Sequence, residues 1–112
     1  MFVLDLIDCQ KEIDLPSKLR KDLISILEKN KIKVLKTIQK IFPPFNGATI
    51  LFILSESHFA IHTWPEKKLV NLDLFLCNFR KNNERKVRSA IKELKDYFLP
   101  RSTKIKQIIR IN

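Results

Sequence analysis

The sequence predicts a two-layer α+β domain, a mostly antiparallel sheet with two helices on one face. Three observations point there. Several short segments alternate apolar and polar residues with the period of two that a half-buried strand shows. Two longer segments carry apolar residues at helical spacing. Their order is strand, helix, several strands, helix, strand, which suits strand hairpins covered by helices rather than alternating βαβ units.

Taken in order, Phe2 to Asp8 alternates apolar and acidic residues and reads as a strand. Leu15 to Asn30 reads as a helix. Its Leu19, Leu23, Ile26 and Leu27 fall on one face, and Asp14 or Ser17 is the expected cap beside Pro16. Lys31 to Phe42 alternates less cleanly and suits an exposed strand, broken by Pro43-Pro44-Phe45-Asn46-Gly47. Thr49 to Ser55 is apolar at both parities, as in a strand buried on two faces. Ser57 to Thr63 is a further extended piece, ended by Trp64-Pro65. Leu69 to Cys77 alternates sharply. Leu72, Leu74 and Leu76 point one way, and Asn71, Asp73, Phe75 and Cys77 the other. A face of that mixed composition either meets solvent or receives a ligand or partner. Asn82 to Phe98 is a helix with Val87, Ile91, Leu94 and Phe98 as its buried stripe, stopped by Pro100. Thr103 to Ile111 is a last strand, with Ile105 and Ile109 on one parity.

Composition narrows the function classes. The 112 residues make one domain, 1–112, and 45% apolar content excludes low-complexity disorder. The single glycine, Gly47, argues against a glycine-rich phosphate loop or a dinucleotide fingerprint. Two cysteines, Cys9 and Cys77, make no disulfide framework. Met1 to Asp8 sets acids within its apolar run and has no basic leader. The longest uncharged apolar run, Ala48 to Leu54, falls far short of the ~20 residues of a membrane span. These features predict a cytoplasmic protein with no membrane partner. A net charge of +10 invites a nucleic-acid reading. Against it, the basic residues are dispersed, Glu84, Glu93 and Asp96 lie among them, and no zinc-finger or RNA-binding pattern is present. A basic nucleic-acid-binding module is kept as an alternative of another class.

The stretch from Leu54 to Glu66 holds both histidines, two serines and two acids. His58 and His62 have the spacing of helical metal ligands, yet the stretch is strand-like and ends in proline. Ser57 with His62 has the composition of a hydrolase pair, without the Gly-x-Ser-x-Gly elbow. On residue chemistry alone, a buried strand with satisfied polar side chains fits best.

The motifs Ser55-Glu56-Ser57-His58, Ile61-His62-Thr63-Trp64-Pro65-Glu66 and Asp73-Leu74-Phe75-Leu76-Cys77 resemble the prokaryotic S-adenosylmethionine decarboxylase proenzyme family, pyruvoyl-dependent enzymes of polyamine synthesis. His62 stands five residues after Ser57 and Cys77 twenty after it, in the family's register. The resemblance covers the central third closely, and the order of elements over nearly all the rest. It implies self-cleavage between Glu56 and Ser57, giving a 1–56 β chain and a 57–112 α chain. Ser57 attacks the Glu56 carbonyl, the amide becomes an ester, and elimination leaves a residue that hydrolyses to a pyruvoyl group. That group, with no metal and no pyridoxal phosphate, takes the substrate amine as a Schiff base and accepts the electrons of decarboxylation. His62 matches the processing base. Thr49 stands where a second processing serine is usual, keeping the hydroxyl and adding a methyl. Cys77 matches the proton donor, although a cysteine there also reads as a small buried hydrophobe. Glu66 matches the acid that holds ribose hydroxyls, although it also reads as an exposed turn carboxylate. Phe42 or Phe45 is the candidate plate against adenine. The implied product is the aminopropyl donor for spermidine. Ornithine or arginine as substrate on the same scaffold, and an unprocessed regulatory partner, are the alternatives.

Thr49 and Ser57 are eight residues apart, about 26 Å along a straight strand at ~3.3 Å per residue. If both serve one centre, a second copy provides Thr49 and with it His62. The resemblance implies the same assembly: a homodimer with sheets face to face, helices outside, and small-molecule sites at the interface. The chain departs from the family pattern at Ile50, Lys67-Lys68 and Asn78, where glycine or Gly-Tyr is usual, and it lacks the Gly-x-His before the first strand.

Overall fold

The computed structural model describes residues 1–77 and 83–111. Strand β1 (Phe2–Cys9) is followed by helix α1 (Pro16–Lys29), strands β2 (Val34–Phe42), β3 (Gly47–Leu54), β4 (Ser57–Trp64) and β5 (Leu69–Leu76), helix α2 (Asn83–Phe98) and strand β6 (Pro100–Gln107). A single 3-10 turn, Pro65–Lys67, joins β4 to β5. The six strands form one sheet in the order β2-β3-β4-β5-β1-β6, and every neighbouring pair is antiparallel. Thus β2 to β5 is a meander of consecutive hairpins, while β1 and β6 add at the side of β5.

One face of the sheet is the core. Phe2, Leu4 and Leu6 of β1, Ile50, Phe52 and Leu54 of β3, Phe59 and Ile61 of β4, and Val70, Leu72, Leu74 and Leu76 of β5 are all buried there. They pack against Leu19, Leu23 and Leu27 of α1 and Val87, Ala90, Ile91, Leu94 and Phe98 of α2. Phe52 and Phe59, opposite one another on β3 and β4, stack at 5.2 Å. The register is fixed because a slip by one residue would move this whole apolar set to the far face.

Several local expectations are corrected. Helix α1 has Leu15 at its N-cap position with no side-chain cap, so neither Asp14 nor Ser17 serves; Pro16 in the first turn already removes one amide that a cap would satisfy. β3 is not buried on both faces, because Leu51 and Ile53 are 43% and 42% exposed. Both helices cover the opposite face, and β3 gains burial only there. β6 starts at Pro100 and ends at Gln107, leaving Ile109 exposed beyond it. β1 pairs with β6 from Phe2 to Cys9, and Met1 and Ile108 exchange one further pair of backbone bonds at 2.7 and 2.9 Å. Helix α2 is described from Asn83; Asn78 and Asn82 lie outside the described residues.

The two helices are tied by Tyr97, whose hydroxyl donates to Asp22 Oδ2 at 2.6 Å, while Lys18 Nζ donates to the same oxygen at 2.7 Å. The Lys18 bond first, and the Tyr97 bond second, hold the Asp22 carboxyl below its ordinary range. A depressed carboxylate stabilises the fold above its unfolded-state pKa, and that contribution is lost as pH falls through the folded value. Tyr97→Phe is therefore expected to cost on the order of 1 kcal/mol at neutral pH, the low end for a bond to a partly exposed carboxylate. It should cost less once pH falls well below the ordinary aspartate range, where Asp22 is protonated in both folded and unfolded chains. Urea melts of both proteins across this range check the sign; an equal deficit at every pH would contradict it.

Candidate active site

The residues singled out above gather in two clusters along β3, β4 and the end of β5. The first surrounds the hairpin turn Ser55–Glu56. Ser57, the first residue of β4, pairs with Leu54 of β3 and Leu76 of β5. Its φ of +151° lies in a region that side-chain-bearing residues avoid. The Glu56 carbonyl accepts a bond from the Cys77 backbone N–H at 2.9 Å. The Cys77 carbonyl in turn accepts from the Asn83 side-chain amide, so Cys77 is fixed between the end of β5 and the start of α2. Ser57 Oγ lies 3.3 Å from His58 Nδ1, and the His58 ring stands edge-on to Phe75 at 5.9 Å. Cys77 follows the outward parity of Phe75 and is half-buried. Cys9 is different. It is buried, its thiol donates to the Leu6 carbonyl at 3.4 Å, and burial, with the nearby Asp8 carboxylate second, pushes it up to about 11. A thiol so hard to ionise is a packing residue.

The second cluster sits toward the other end of β3 and β4. Thr49 and His62 are direct cross-strand partners, with Thr49 Oγ1 and His62 Nδ1 hydrogen-bonded at 2.9 Å. The threonine methyl thus leaves that bond intact. Beside them a mainly apolar cavity of about 380 Å³ is lined by Phe42, Phe45, Thr49, His62, Trp64 and Glu66, among others. Its floor depends on Gly47, where an added Cβ would stand 2.8 Å from the Thr63 carbonyl oxygen. The Ala48 N–H donates to Thr63 Oγ1 at 2.9 Å, which locks this close approach. On the rim, Trp64 Nε1 donates to Asn71 Oδ1 at 2.7 Å, and Asn71 Nδ2 donates to Asp5 Oδ1 at 2.8 Å. A chain of side chains from β1 through β5 thereby orients the indole.

Within one protomer the clusters do not meet. Five residues of β4 separate Ser57 from His62, about 16 Å at ~3.3 Å per residue. Thr49 is nearer to Ser57 than a straight strand would put it, because the chain doubles back at Ser55–Glu56. Yet Ser57 pairs with Leu54, five residues from Thr49, so about 17 Å still intervenes. The hydrolase pairing of Ser57 with His62 therefore fails within one chain. So does a metal shared by His58 and His62, which share a face of β4 about 13 Å apart. Among the described residues no group of three or more His, Cys, Asp or Glu side chains gathers as metal ligands, and no helix is long and apolar enough to cross a membrane. The outer sheet face between the clusters holds an exposed apolar patch, with Ile38 51% exposed on β2 next to Leu51 and Ile53 on β3, set among Lys36, Lys40 and Asp73.

Sequence reasoning weighed His58 only as a metal ligand and gave no role to Asn83 or the Asp5–Asn71–Trp64 chain. An asparagine opening a helix was a readable sign for Asn83. The others depend on cross-strand neighbours that no local pattern specifies.

Fold and clusters together define a sheet-and-helix protein with two separate clusters of candidate residues along its central strands. A solved structure, the adenosylmethionine decarboxylase from Aquifex aeolicus, has the same fold: TM-score 0.81, covering 99% of this chain and 92% of that one at 23% identity. The family model for S-adenosylmethionine decarboxylase matches residues 1–111. The chain belongs to the S-adenosylmethionine decarboxylase family. Relatives named S-adenosylmethionine decarboxylase proenzyme include one from Thermomicrobium roseum, 40% identical over 73 residues (63% of this chain and 60% of the relative). One from Archaeoglobus fulgidus is 38% identical over 77 residues (69% and 64%). The matched region thus spans less than two thirds of either relative's length.

Proposed function

We propose that this chain is the proenzyme of a pyruvoyl-dependent S-adenosylmethionine decarboxylase. It cleaves itself between Glu56 and Ser57, converts Ser57 to a pyruvoyl group, and works in the cytoplasm as a homodimer. The observation that carries this reading is the backbone at the scissile bond. The Glu56 carbonyl is held by the Cys77 N–H at 2.9 Å, next to a Ser57 at φ +151°. An amide donor aimed at that oxygen stabilises the charge it gains when Ser57 Oγ adds to the carbonyl. A strained peptide is also more readily exchanged for an ester. These features fit the precursor of a pyruvoyl group.

The two half-sites and the exposed Ile38, Leu51 and Ile53 support the dimer. Packed face to face about a two-fold axis, each Ser57 and Cys77 meets the Thr49, His62 and Glu66 of the partner subunit, and two equal sites result. There His62 removes the Ser57 α-proton that releases the 1–56 chain, with Thr49 orienting it. The group formed from Ser57 supplies the electron sink for decarboxylation that side chains lack. Cys77 gives a proton to the substrate α-carbon. Glu66 takes the ribose hydroxyls, and Phe42 or Phe45 lies against the adenine. A cavity of about 380 Å³ is within the ~300–1,000 Å³ usual for small-molecule sites. The product is the aminopropyl donor for spermidine.

Carbon dioxide release from carboxyl-labelled S-adenosylmethionine, with ornithine and arginine compared, tests the substrate. Cleaved protein that releases it only from ornithine or arginine overturns that assignment while sparing the chemistry. Cys77→Ala keeps the backbone N–H on Glu56, so cleavage should proceed while turnover drops by about 10²- to 10⁴-fold, the usual worth of a positioned acid. Full turnover would remove Cys77 as the donor.

A further inference from the structure

The processing base assigned above, His62, is about 16 Å from Ser57 in its own chain, and its task is the α-proton. The first step, transfer of the Glu56 acyl group from nitrogen to oxygen, needs its own proton handling. The Ser57 hydroxyl must lose a proton as it attacks, and the Ser57 nitrogen must gain one as the C–N bond breaks. We propose that His58 performs both transfers, acting on its own chain's Ser57 as the base of the N-to-O acyl shift. This inference rests on the self-cleavage reading.

Three observations converge on it. His58 Nδ1 is 3.3 Å from Ser57 Oγ, within reach of one that tightens as the reaction proceeds. A neutral imidazole with its hydrogen on Nε2 leaves Nδ1 free to accept. The ring is oriented rather than loose: Phe75, its direct cross-strand partner on β5, meets it edge-on at 5.9 Å. The φ of +151° sets Ser57 apart from regular strand geometry at the residue whose hydroxyl His58 touches.

The step balances without any co-reactant. His58 Nδ1 takes the Oγ proton as Oγ bonds to the Glu56 carbonyl carbon. The electron pair of the C=O moves to oxygen, facing the Cys77 N–H. When the carbonyl re-forms, the C–N bond breaks and the Ser57 nitrogen takes the proton from His58. Amide has become ester, Ser57 has a free amine, and His58 is unchanged. Phe75 is a positioning residue for this histidine.

The test separates events before the ester from events after it. Hydroxylamine cleaves the ester, leaving Glu56 as a hydroxamate and freeing a 57–112 fragment that begins with serine. Wild type, His62→Ala, His58→Ala and His58→Gln are purified whole and followed on denaturing gels and by mass, with and without hydroxylamine. Wild type cleaves unaided. His62→Ala forms the ester, so hydroxylamine splits it. Both His58 variants stay whole with or without hydroxylamine, at least about 10²-fold slower than wild type, and added imidazole speeds His58→Ala cleavage. Circular dichroism and thermal melts matching wild type mark the variant to be read. Should His58→Ala misfold, His58→Gln, polar but not basic, asks the same question. Wild-type cleavage rates in a folded His58 variant overturn the proposal. So does a His58 variant that hydroxylamine splits as readily as His62→Ala, because the ester then forms without His58. A wild-type chain that never cleaves overturns the self-cleavage reading itself, a distinct result.

Discussion

Ser57→Ala is expected to leave a single unbroken chain, while the wild type resolves into fragments 1–56 and 57–112. Decarboxylation should fall to background, a loss of at least about 10⁶-fold, the low end of enzymatic acceleration. The effect is this large because one atom serves twice. On the self-cleavage reading, Ser57 Oγ is the nucleophile that opens the peptide, and its departure from Cβ in the elimination leaves the dehydroalanine whose Cα becomes the ketone and whose Cβ becomes the methyl group. Alanine removes both roles yet keeps a side chain at φ +151°, so the local backbone is little altered. The flanking ladders to Leu54 and Leu76 and the bond from the Cys77 N–H to Glu56 still hold the turn. A denaturing gel and intact mass check the outcome, and a carbonyl-reactive probe should mark only the wild-type 57–112 fragment. Cleavage in Ser57→Ala, at the same bond, would show that the hydroxyl is not the nucleophile.

The fold was legible in the sequence because its elements are amphipathic over a single core. The alternation from Leu69 to Cys77 and the stripes of α1 and α2 each report one covered face, and those faces meet. Where the reading missed, the cause was non-local. Leu51 and Ile53 look like core in sequence, yet they stand on the sheet face that neither helix covers, and composition alone does not say which face is covered. The bounds of β6, Pro100 to Gln107, follow its ladder with β1, a non-local partner that local pattern does not contain. The site divides likewise. Ser57, His62, Cys77 and Glu66 are candidates through the family resemblance of their motifs. The bond from the Cys77 N–H to Glu56 and the contact of His58 with Ser57 come from a turn and three paired strands. Linear spacing also overstated the distance from Thr49 to Ser57, since it took no account of the reversal at Ser55–Glu56. The conclusion that they cannot meet in one chain survived that error, because the hairpin sets them at opposite ends of the same strand pair.

That separation leads to the second large effect. If each site draws Ser57 from one protomer and His62 from the other, two inactive variants should repair each other. Ser57→Ala has no nucleophile and His62→Ala lacks the base for elimination, so each alone is expected to show background decarboxylation. Co-expressed in equal amounts and associating at random, half of the dimers are mixed. In each mixed dimer one site pairs an intact Ser57 with an intact His62 and the other site has lost both, so about a quarter of wild-type activity should return. The two variants cannot do this if each chain is self-sufficient, since every site would then miss one group. Differently tagged copies, purified through both tags, isolate the mixed dimer, whose activity should rise to about half of wild type. Only the His62→Ala chain in it should be cleaved, because that chain has the serine and borrows its partner's histidine. A mixed dimer without activity, with both chains whole, would place the two residues of a site in one subunit. It would also require the strands to move by about 16 Å relative to the geometry found here, which an intact β3–β4–β5 ladder does not permit.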